Sequence, residues 1–377
     1  MSKNTFLTTG LPACEVVVVK VMRPFSHCMF SRYAAQDSRI RLRNRIYFRS
    51  YYLKGNHYLS LMSEPDSKRH KLSGPIQLGA TNFADIARYN FRFIDKTMFI
   101  KEFMDSMYMI DCILRPRRFG KTLDLSMLRC FLSFKYSTDF SKYKINEYPD
   151  FVQEHLHKYP VLYLDLKDCK QDTWDLTLRR IWACIKNMVR EHAEDLKESF
   201  DLSVFDLDNL QTVLPDDENF ILSSLRVVTE LLFKTHKEQV VVLIDEYDAA
   251  MNNAYKLGFY HEASKFCASF YSSALKSYNC LKKACFMGIV EISGKGSSMS
   301  SILNNVGVSC TVDDNFSSSF GFTVEEIKEF FNSGIEIDQI LLWYNGYTIG
   351  SKTQVINPWS LEVIGLKLKI LKILLGV

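Results

Sequence analysis

Apolar positions along this chain recur with two different periods, and the period changes where strands and helices are expected to alternate. Residues 109–114 form a short apolar run that feeds a glycine-containing loop, and Leu123, Met127, Leu128, Phe131 and Phe134 then follow at helical spacing. This pattern predicts strand, loop, helix. Residues 160–166 (PVLYLDL) read as a buried strand, and Leu178, Ile181, Trp182, Ile185 and Val189 share one face of a helix over 174–189. Ile221, Leu225, Val228 and Leu232 mark a further helix that leads into VVVLI at 240–244, a β-branched run typical of a central parallel strand covered on both faces. Residues 260–278 have a helical pattern, and 284–289 form one more short strand. Alternation of this kind predicts an α/β fold, a parallel sheet wrapped by helices, with ligands at the carboxyl ends of its strands. Thr323 and Glu326 have the spacing of a capping box that opens another helix, and Gly334 stands where that helix should stop.

Residues 1–75 follow a different rule. Over 39–58 (RIRLRNRIYFRSYYLKGNHY) arginine alternates with apolar residues at period two, which predicts an edge strand or hairpin with a solvated face, or an extension of its own. Arginine interleaved with Tyr47, Tyr51, Tyr52 and Tyr58 could stack on nucleic acid, but no nucleic-acid-binding motif accompanies it. Residues 63–74 (SEPDSKRHKLSG) read as a linker. The expected domains are therefore a basic extension over 1–75, an α/β domain over 76–320 and a small helical region over 321–377.

Charge sharpens this division. The chain of 377 residues holds 47 Lys and Arg against 43 Asp and Glu, yet residues 1–75 alone carry 13 basic and 4 acidic side chains. The excess is local, and the whole chain has no mandate for a polyanionic partner. Its 47% apolar content suffices for a large buried core. Ten cysteines lie singly, without the Cys-x-x-Cys spacing of a zinc site, and are expected to be reduced thiols. The run at 16–19 falls far short of the ~20 residues of a membrane span. An intracellular, cytoplasmic or nuclear, location with no membrane partner is the expectation.

Candidate chemistry begins in ILRPRRFGKTLDLSML, where Gly120, Lys121 and Thr122 stand between an expected strand and an expected helix. That context is what gives a phosphate-loop match meaning. Free N–H groups at a helix start would hold a β-phosphate, Lys121 would bridge β- and γ-oxygens, Thr122 would ligate Mg²⁺, and Gly120 would let the backbone come close. Arg117, Arg118 and Phe119 complete the expected nucleotide-binding stretch. The usual motif begins with glycine, whereas Arg115 stands here. Arg115, Arg117, Arg118 and Lys121 crowd cations toward a helix N-terminus, a conflict with the helix dipole that a bound polyanion would relieve.

The second candidate is QVVVLIDEYDAAM, which sets Asp245 and Glu246 at the end of the most hydrophobic strand. Carboxylates there suit a magnesium-side contact, assigned to Asp245, and a water-polarising base, assigned to Glu246. Asp248 is a weaker candidate for either task. The two motifs strengthen each other, and the fold expected of them is a P-loop NTPase sheet.

With these residues in hand, the chain resembles the AAA-ATPase-like family, a P-loop group often fused to a C-terminal PD-(D/E)XK nuclease-like domain. The resemblance runs over about 76–360 and rests on FRFIDKTMFIKEF (91–103), LRPRRFGKTLDLSML, PVLYLDL, VVVLIDEYDAAM, ILNN (302–305), FGFTVEEI (320–327), WYNGY (343–347) and INPWS (356–360), in that order. The family itself carries RPRRFGKT. It implies ATP and Mg²⁺ as ligands, hydrolysis of ATP, and the roles given above to Lys121, Thr122, Asp245 and Glu246.

Two departures stand out. The family tends to have Thr-Gly and then arginine after the next strand, where this chain has Met287-Gly288 and then Glu291. Nucleotide binding can survive such changes where turnover does not. An ATP hydrolase that drives a protein partner, and a scaffold that binds ATP without hydrolysing it, are both compatible with the sequence. Residues 361–377 are too few for a nuclease domain, so no nuclease chemistry is expected here. WYNGY and INPWS read as structural, a turn at Asn345-Gly346 and a helix cap at Asn357 with Pro358 in the first turn. Asp95 and Lys96 read as an ion-paired lead-in to the core. No Asn-Lys-x-Asp motif of guanine specificity occurs, which favours adenine.

Overall fold

The computed structural model describes residues 79–197, 201, 205, 218–275, 279–291, 306–330, 346–351 and 353–360. The readings made above for 1–75, ILNN, Gly334, the first part of WYNGY and the C-terminal tail lie outside these residues.

A five-stranded parallel sheet forms the centre. Its strands are β1 (Ile110–Leu114), β2 (Val161–Asp165), β3 (Val240–Asp245), β4 (Leu281–Gly288) and β5 (Val306–Ser309), in the spatial order β2-β3-β4-β1-β5. β4 thus lies between β1 and β3, with Cys112 beside Phe286 and Asp245 beside Met287. Helices fill the crossovers. The described ones are α1 (Phe83–Arg88), α2 (Met98–Asp105), α3 (Lys121–Leu132), α4 (Pro149–His155), α5 (Trp174–Glu191), α6 (Ala193–Leu196), α7 (Glu218–His236), α8 (Ala249–Leu257), α9 (Tyr260–Leu275) and α10 (Val324–Phe330). The expected strands and helices are found, their ends shifted by a few residues, and the α/β parallel sheet flanked by helices is the observed architecture.

Period-two alternation decides which core each strand residue joins. Cys112, Leu114, Val242, Ile244, Ala284 and Phe286 face a cluster completed by Trp182, Ile185, Leu225 and Phe270 from α5, α7 and α9. Ile113, Val241, Leu243, Cys285 and Met287 face the opposite cluster, with Phe99, Phe103, Leu125, Leu128 and Phe131 from α2 and α3. Both faces of β1 and β3 are buried throughout, which explains their apolar sequences, broken by Asp111 within β1 and by Asp245 at the end of β3. Polar groups end up at the strand tips, where the chain leaves the core.

A second sheet is antiparallel, with β8 (Thr353–Ile356) between β6 (Phe322–Thr323) and β7 (Tyr347–Ile349). Residues 321–377 were expected to be helical. They do supply α10, opened by the anticipated capping box, in which Thr323 N donates to Glu326 Oε2 at 2.8 Å and Glu326 N donates to Thr323 Oγ1 at 3.3 Å. The strands beside it correct the rest of that expectation, since runs of two to four residues are too short to display either period. Lys96 joins the two parts of the domain. Its ammonium donates to Glu326 at 2.6 Å and to the Ser318 carbonyl at 2.6 Å, while Asp95 instead accepts from the Thr97 amide at 2.9 Å.

Candidate nucleotide site

β1 ends at Leu114 and α3 begins at Lys121, so residues 115–120 form a tight loop at the carboxyl edge of the sheet. Gly120 caps the helix with φ +92°, a left-handed conformation that glycine adopts without strain. A Cβ at this position would also come within 3.3 Å of Asp124 Oδ2. Among the described residues, the N–H groups of Phe119, Gly120 and Lys121 meet no acceptor. Three free donors gather at the positive end of a twelve-residue helix, an arrangement suited to an anion.

Lys121 is 6% exposed, and its ammonium donates to the Arg115 carbonyl at 3.1 Å and to the Pro116 carbonyl at 3.0 Å. Burial lowers its pKa, and the carboxylates of Glu246, Asp245 and Asp248 push the other way. The amine is therefore held across the loop by weak neutral acceptors, with acidic groups on its far side.

Arg115 does something other than was expected of it. Its side chain is fully buried and turns away from the loop: Nη1 donates to the carbonyls of Ser309 at 3.0 Å and Cys310 at 2.9 Å, and Nη2 donates to that of Asn315 at 2.9 Å. It also stands over the Phe320 ring at 5.5 Å. Burial lowers its pKa to about 10, partly offset by Cys310, Asp313 and Glu102. Arg115 thus ties the end of β1 to the end of β5 and the segment after it. It is removed from the set of cations crowding the helix start, because a cage of carbonyls some 200 residues away in sequence is a better solvation shell than the loop rim. Phe119 is likewise buried, packed edge-on against Tyr347 at 4.9 Å, so its backbone alone borders the anion seat. Arg117 and Arg118 have exposed side chains on the loop.

The acidic strand end meets this loop directly. Thr122 Oγ1 donates to Asp245 Oδ2 at 2.6 Å, although the two residues lie 123 positions apart. Asp245 is 1% exposed, and burial raises its carboxyl pKa to about 6, with Asp165 and Glu246 adding to the rise and Thr122 and Lys121 opposing it. Its other oxygen accepts from the Glu246 N–H at 2.9 Å. Glu246 has φ +52°, a conformation that costs a non-glycine residue of order 1–3 kcal/mol. Its carboxylate pairs with Lys170 at 3.3 Å.

Asp248 serves the end of β4. Its Oδ2 accepts from the amides of Ile289 at 3.2 Å and Val290 at 3.0 Å, and from Asn252 Nδ2 at 2.5 Å, while Oδ1 is buried with no partner among the described residues. Tyr247 OH donates to the Val290 carbonyl at 2.9 Å. Asp248 Oδ2 thereby clamps two loops of the site together, while Oδ1 keeps no partner among the described residues. Met287 is fully buried in the α3-side core and can offer no hydrogen bond to a phosphate, and Glu291 lies exposed beyond it.

Several residues at this site escaped the sequence reading. Asp165 ends β2 beside Asp245, and its position at a strand's carboxyl end was a usable signal. Lys170 carried none. Asn357 forms the expected cap, its Oδ1 accepting from the Trp359 N–H at 3.0 Å, but its Nδ2 also donates to the Arg117 carbonyl at 3.4 Å, and the Trp359 ring lies 4.5 Å from the Arg118 guanidinium.

Among the described residues no cluster of three His, Cys, Asp or Glu side chains could hold a metal by itself, and no helix is long and apolar enough to cross a membrane. A magnesium ion would fit Thr122 and Asp245 only in company with phosphate oxygens, which is how this ion is commonly bound in phosphoryl-transfer sites.

Comparison with known proteins agrees with the geometry. The chain is 26% identical over 303 residues to the uncharacterized protein in the vnfD 5' region of Azotobacter chroococcum mcd 1, a match that covers 77% of this chain and 51% of that protein. The chain therefore spans about half the length of this relative. A family model described as predicted AAA-ATPase matches residues 77–297, a span that holds Lys121, Thr122, Asp245 and Glu246 and more than half of the sequence. On that match, joined to a parallel sheet whose glycine-lysine-threonine loop meets an aspartate-glutamate strand end, the chain belongs to the AAA-ATPase-like family.

Proposed function

We propose that this protein binds ATP together with Mg²⁺ and hydrolyses it. The observation that carries the reading is the 2.6 Å contact between Thr122 Oγ1 and Asp245 Oδ2. A hydroxyl and a buried carboxylate from separate loops converge beside three unpartnered N–H groups and a buried ammonium, and one ligand carrying both anionic oxygens and a divalent cation would engage all of them. Magnesium, when bound, would neutralise charge between the outer phosphates.

Each residue then has a task set by its surroundings. The N–H groups of Phe119, Gly120 and Lys121 would hold phosphate oxygens. Lys121 would exchange two neutral carbonyl acceptors for charged ones, a gain because hydrogen bonds to ionised partners are roughly twice as strong. Asp245, ionised, and Thr122 would face the metal. Glu246, whose carboxylate pairs with Lys170, would orient a water and take its proton.

Magnesium-dependent ATP turnover by the full chain, compared with Lys121→Ala and Glu246→Gln, tests this reading. Both variants are expected to lose at least ~100-fold in turnover, Lys121→Ala with weakened binding and Glu246→Gln with binding retained. Equal rates in all three would remove hydrolysis from the proposal.

A second reading has its own observation. Met287, side by side with Asp245 in the sheet and wholly buried, leaves the end of β4 without a polar side chain toward the γ-phosphate. A scaffold that binds ATP and passes its occupancy to a protein partner would show tight binding with no turnover above a buffer blank.

A further inference from the structure

The segment that follows β8 lies beyond the 77–297 match, yet it touches two successive residues of the phosphate loop, and the small sheet it leaves touches the next. Asn357 Nδ2 donates to the Arg117 carbonyl at 3.4 Å, the Trp359 ring lies 4.5 Å from the Arg118 guanidinium, and Phe119 packs on Tyr347 of the same small sheet at 4.9 Å. This segment is anchored from below. Val355 and Ile356 are buried, and Asn357 caps the turn that presents Trp359.

We infer that Trp359 is a positioning residue for the nucleotide, holding the Arg118 guanidinium by its ring so that the N–H donors of that arginine face the polyphosphate bound at Lys121 and Thr122. Arg118 is the loop residue that needs such help. It is exposed, its backbone is left-handed with φ +68°, and no carboxylate among the described residues pairs with it. A free arginine side chain loses rotamer entropy when it grips a phosphate. A guanidinium resting on an aromatic face has already lost much of that freedom, and its donors, which lie in its own plane, stay available. Trp359 is 41% exposed, so the core does not enclose the ring that meets Arg118. The Asn357 contact fixes the neighbouring carbonyl and so the direction from which Arg118 leaves the backbone.

This inference rests on the nucleotide reading of the site and is tested on the full chain with a magnesium-bound, non-hydrolysable ATP analogue, followed by calorimetry and tryptophan fluorescence. Trp359→Ala is expected to weaken binding about two- to fivefold, the range for one solvent-exposed cation–π contact, with Trp359→Phe recovering most of the loss. Arg118→Ala is expected to weaken binding about tenfold or more by removing a charge-assisted contact, and in that background Trp359→Ala should cost nothing further. Binding by the wild type should change the fluorescence that Trp359→Phe removes. An unchanged or tightened affinity in Trp359→Ala, or penalties that simply add, overturns the inference while the nucleotide site stands, as long as Lys121→Ala still weakens binding. No binding by the wild type overturns both.

Discussion

The Arg115 guanidinium donates to the Asn315 carbonyl at 2.9 Å, which places the first residue of the phosphate loop in the floor of the domain and not in its binding seat. The same group also reaches carbonyls at Ser309, Cys310 and Phe316. Arg115→Ala would strand several buried acceptors at once and is expected to cost roughly 3–5 kcal/mol in urea-induced unfolding. Arg115→Lys should recover only part of this, since an ammonium cannot reproduce the planar fork. A variant within 1 kcal/mol of the wild type would show that the carbonyl cage is dispensable.

Asp245 titrates near 6, raised by burial and by neighbouring carboxylates. Because its folded pKa lies above its ordinary value, the proton it holds favours the folded state at low pH, and that contribution fades as pH rises from about 4 through 6. The ligand-free protein is therefore expected to lose on the order of 2–3 kcal/mol of stability across that window from this group. Asp245→Asn should flatten the profile by a similar amount. Magnesium-dependent nucleotide affinity should run in the opposite sense, falling as pH drops below about 6 because a protonated carboxyl cannot ligate the ion. Identical pH profiles for the wild type and Asp245→Asn would contradict the burial-driven shift.

Asp248 predicts a contrast between two substitutions. Asp248→Ala leaves the amides of the part-buried Ile289 and the exposed Val290 without this acceptor and should cost about 1–3 kcal/mol. Asp248→Asn keeps an accepting oxygen and should cost about 1 kcal/mol or less. Thermal unfolding of both variants decides it, and equal losses would mean that the clamp contributes through its charge.

Gly288 carries a prediction of space. A Cβ there would approach Tyr247 Cε1 at 2.5 Å and Asp248 Oδ1 at 2.7 Å. Gly288→Ala is expected to destabilise by roughly 1–3 kcal/mol through overpacking. It should also weaken nucleotide binding, since relief can come only by moving the loop that carries Glu246. A neutral effect on both would show that this loop yields freely.

Much of the fold was legible because it depends on local pattern. The runs at 110–114 and 240–245 are mostly apolar because both faces are covered, and the 3.6-residue spacing in α3, α5 and α7 marks their buried sides. The meeting of the loop that holds Thr122 with the strand end that holds Asp245 was legible because a strand, a loop and a helix start leave few places for those residue types. β5 was missed, since Val306–Ser309 is four residues with a glycine inside, and the small antiparallel sheet was missed for the same lack of length. The fate of Arg115 was hidden for a different reason. Its acceptors are backbone carbonyls, which every residue has, so no side chain in 309–316 advertises the cage. Trp359 was read as part of a cap, which is true of its backbone and silent about its ring.

The interposition of β4 between β1 and β3 has a spatial result. Neighbouring strands lie about 4.8 Å apart, so the tips that carry the lysine loop and the acidic loop are separated by roughly 10 Å. Between them the sheet ends in Gly288, which adds no bulk. Set one strand apart, the two tips keep a span that side chains alone cross, as Thr122 Oγ1 and Asp245 Oδ2 do at 2.6 Å, and the width of that span is fixed by hydrogen bonds of the sheet.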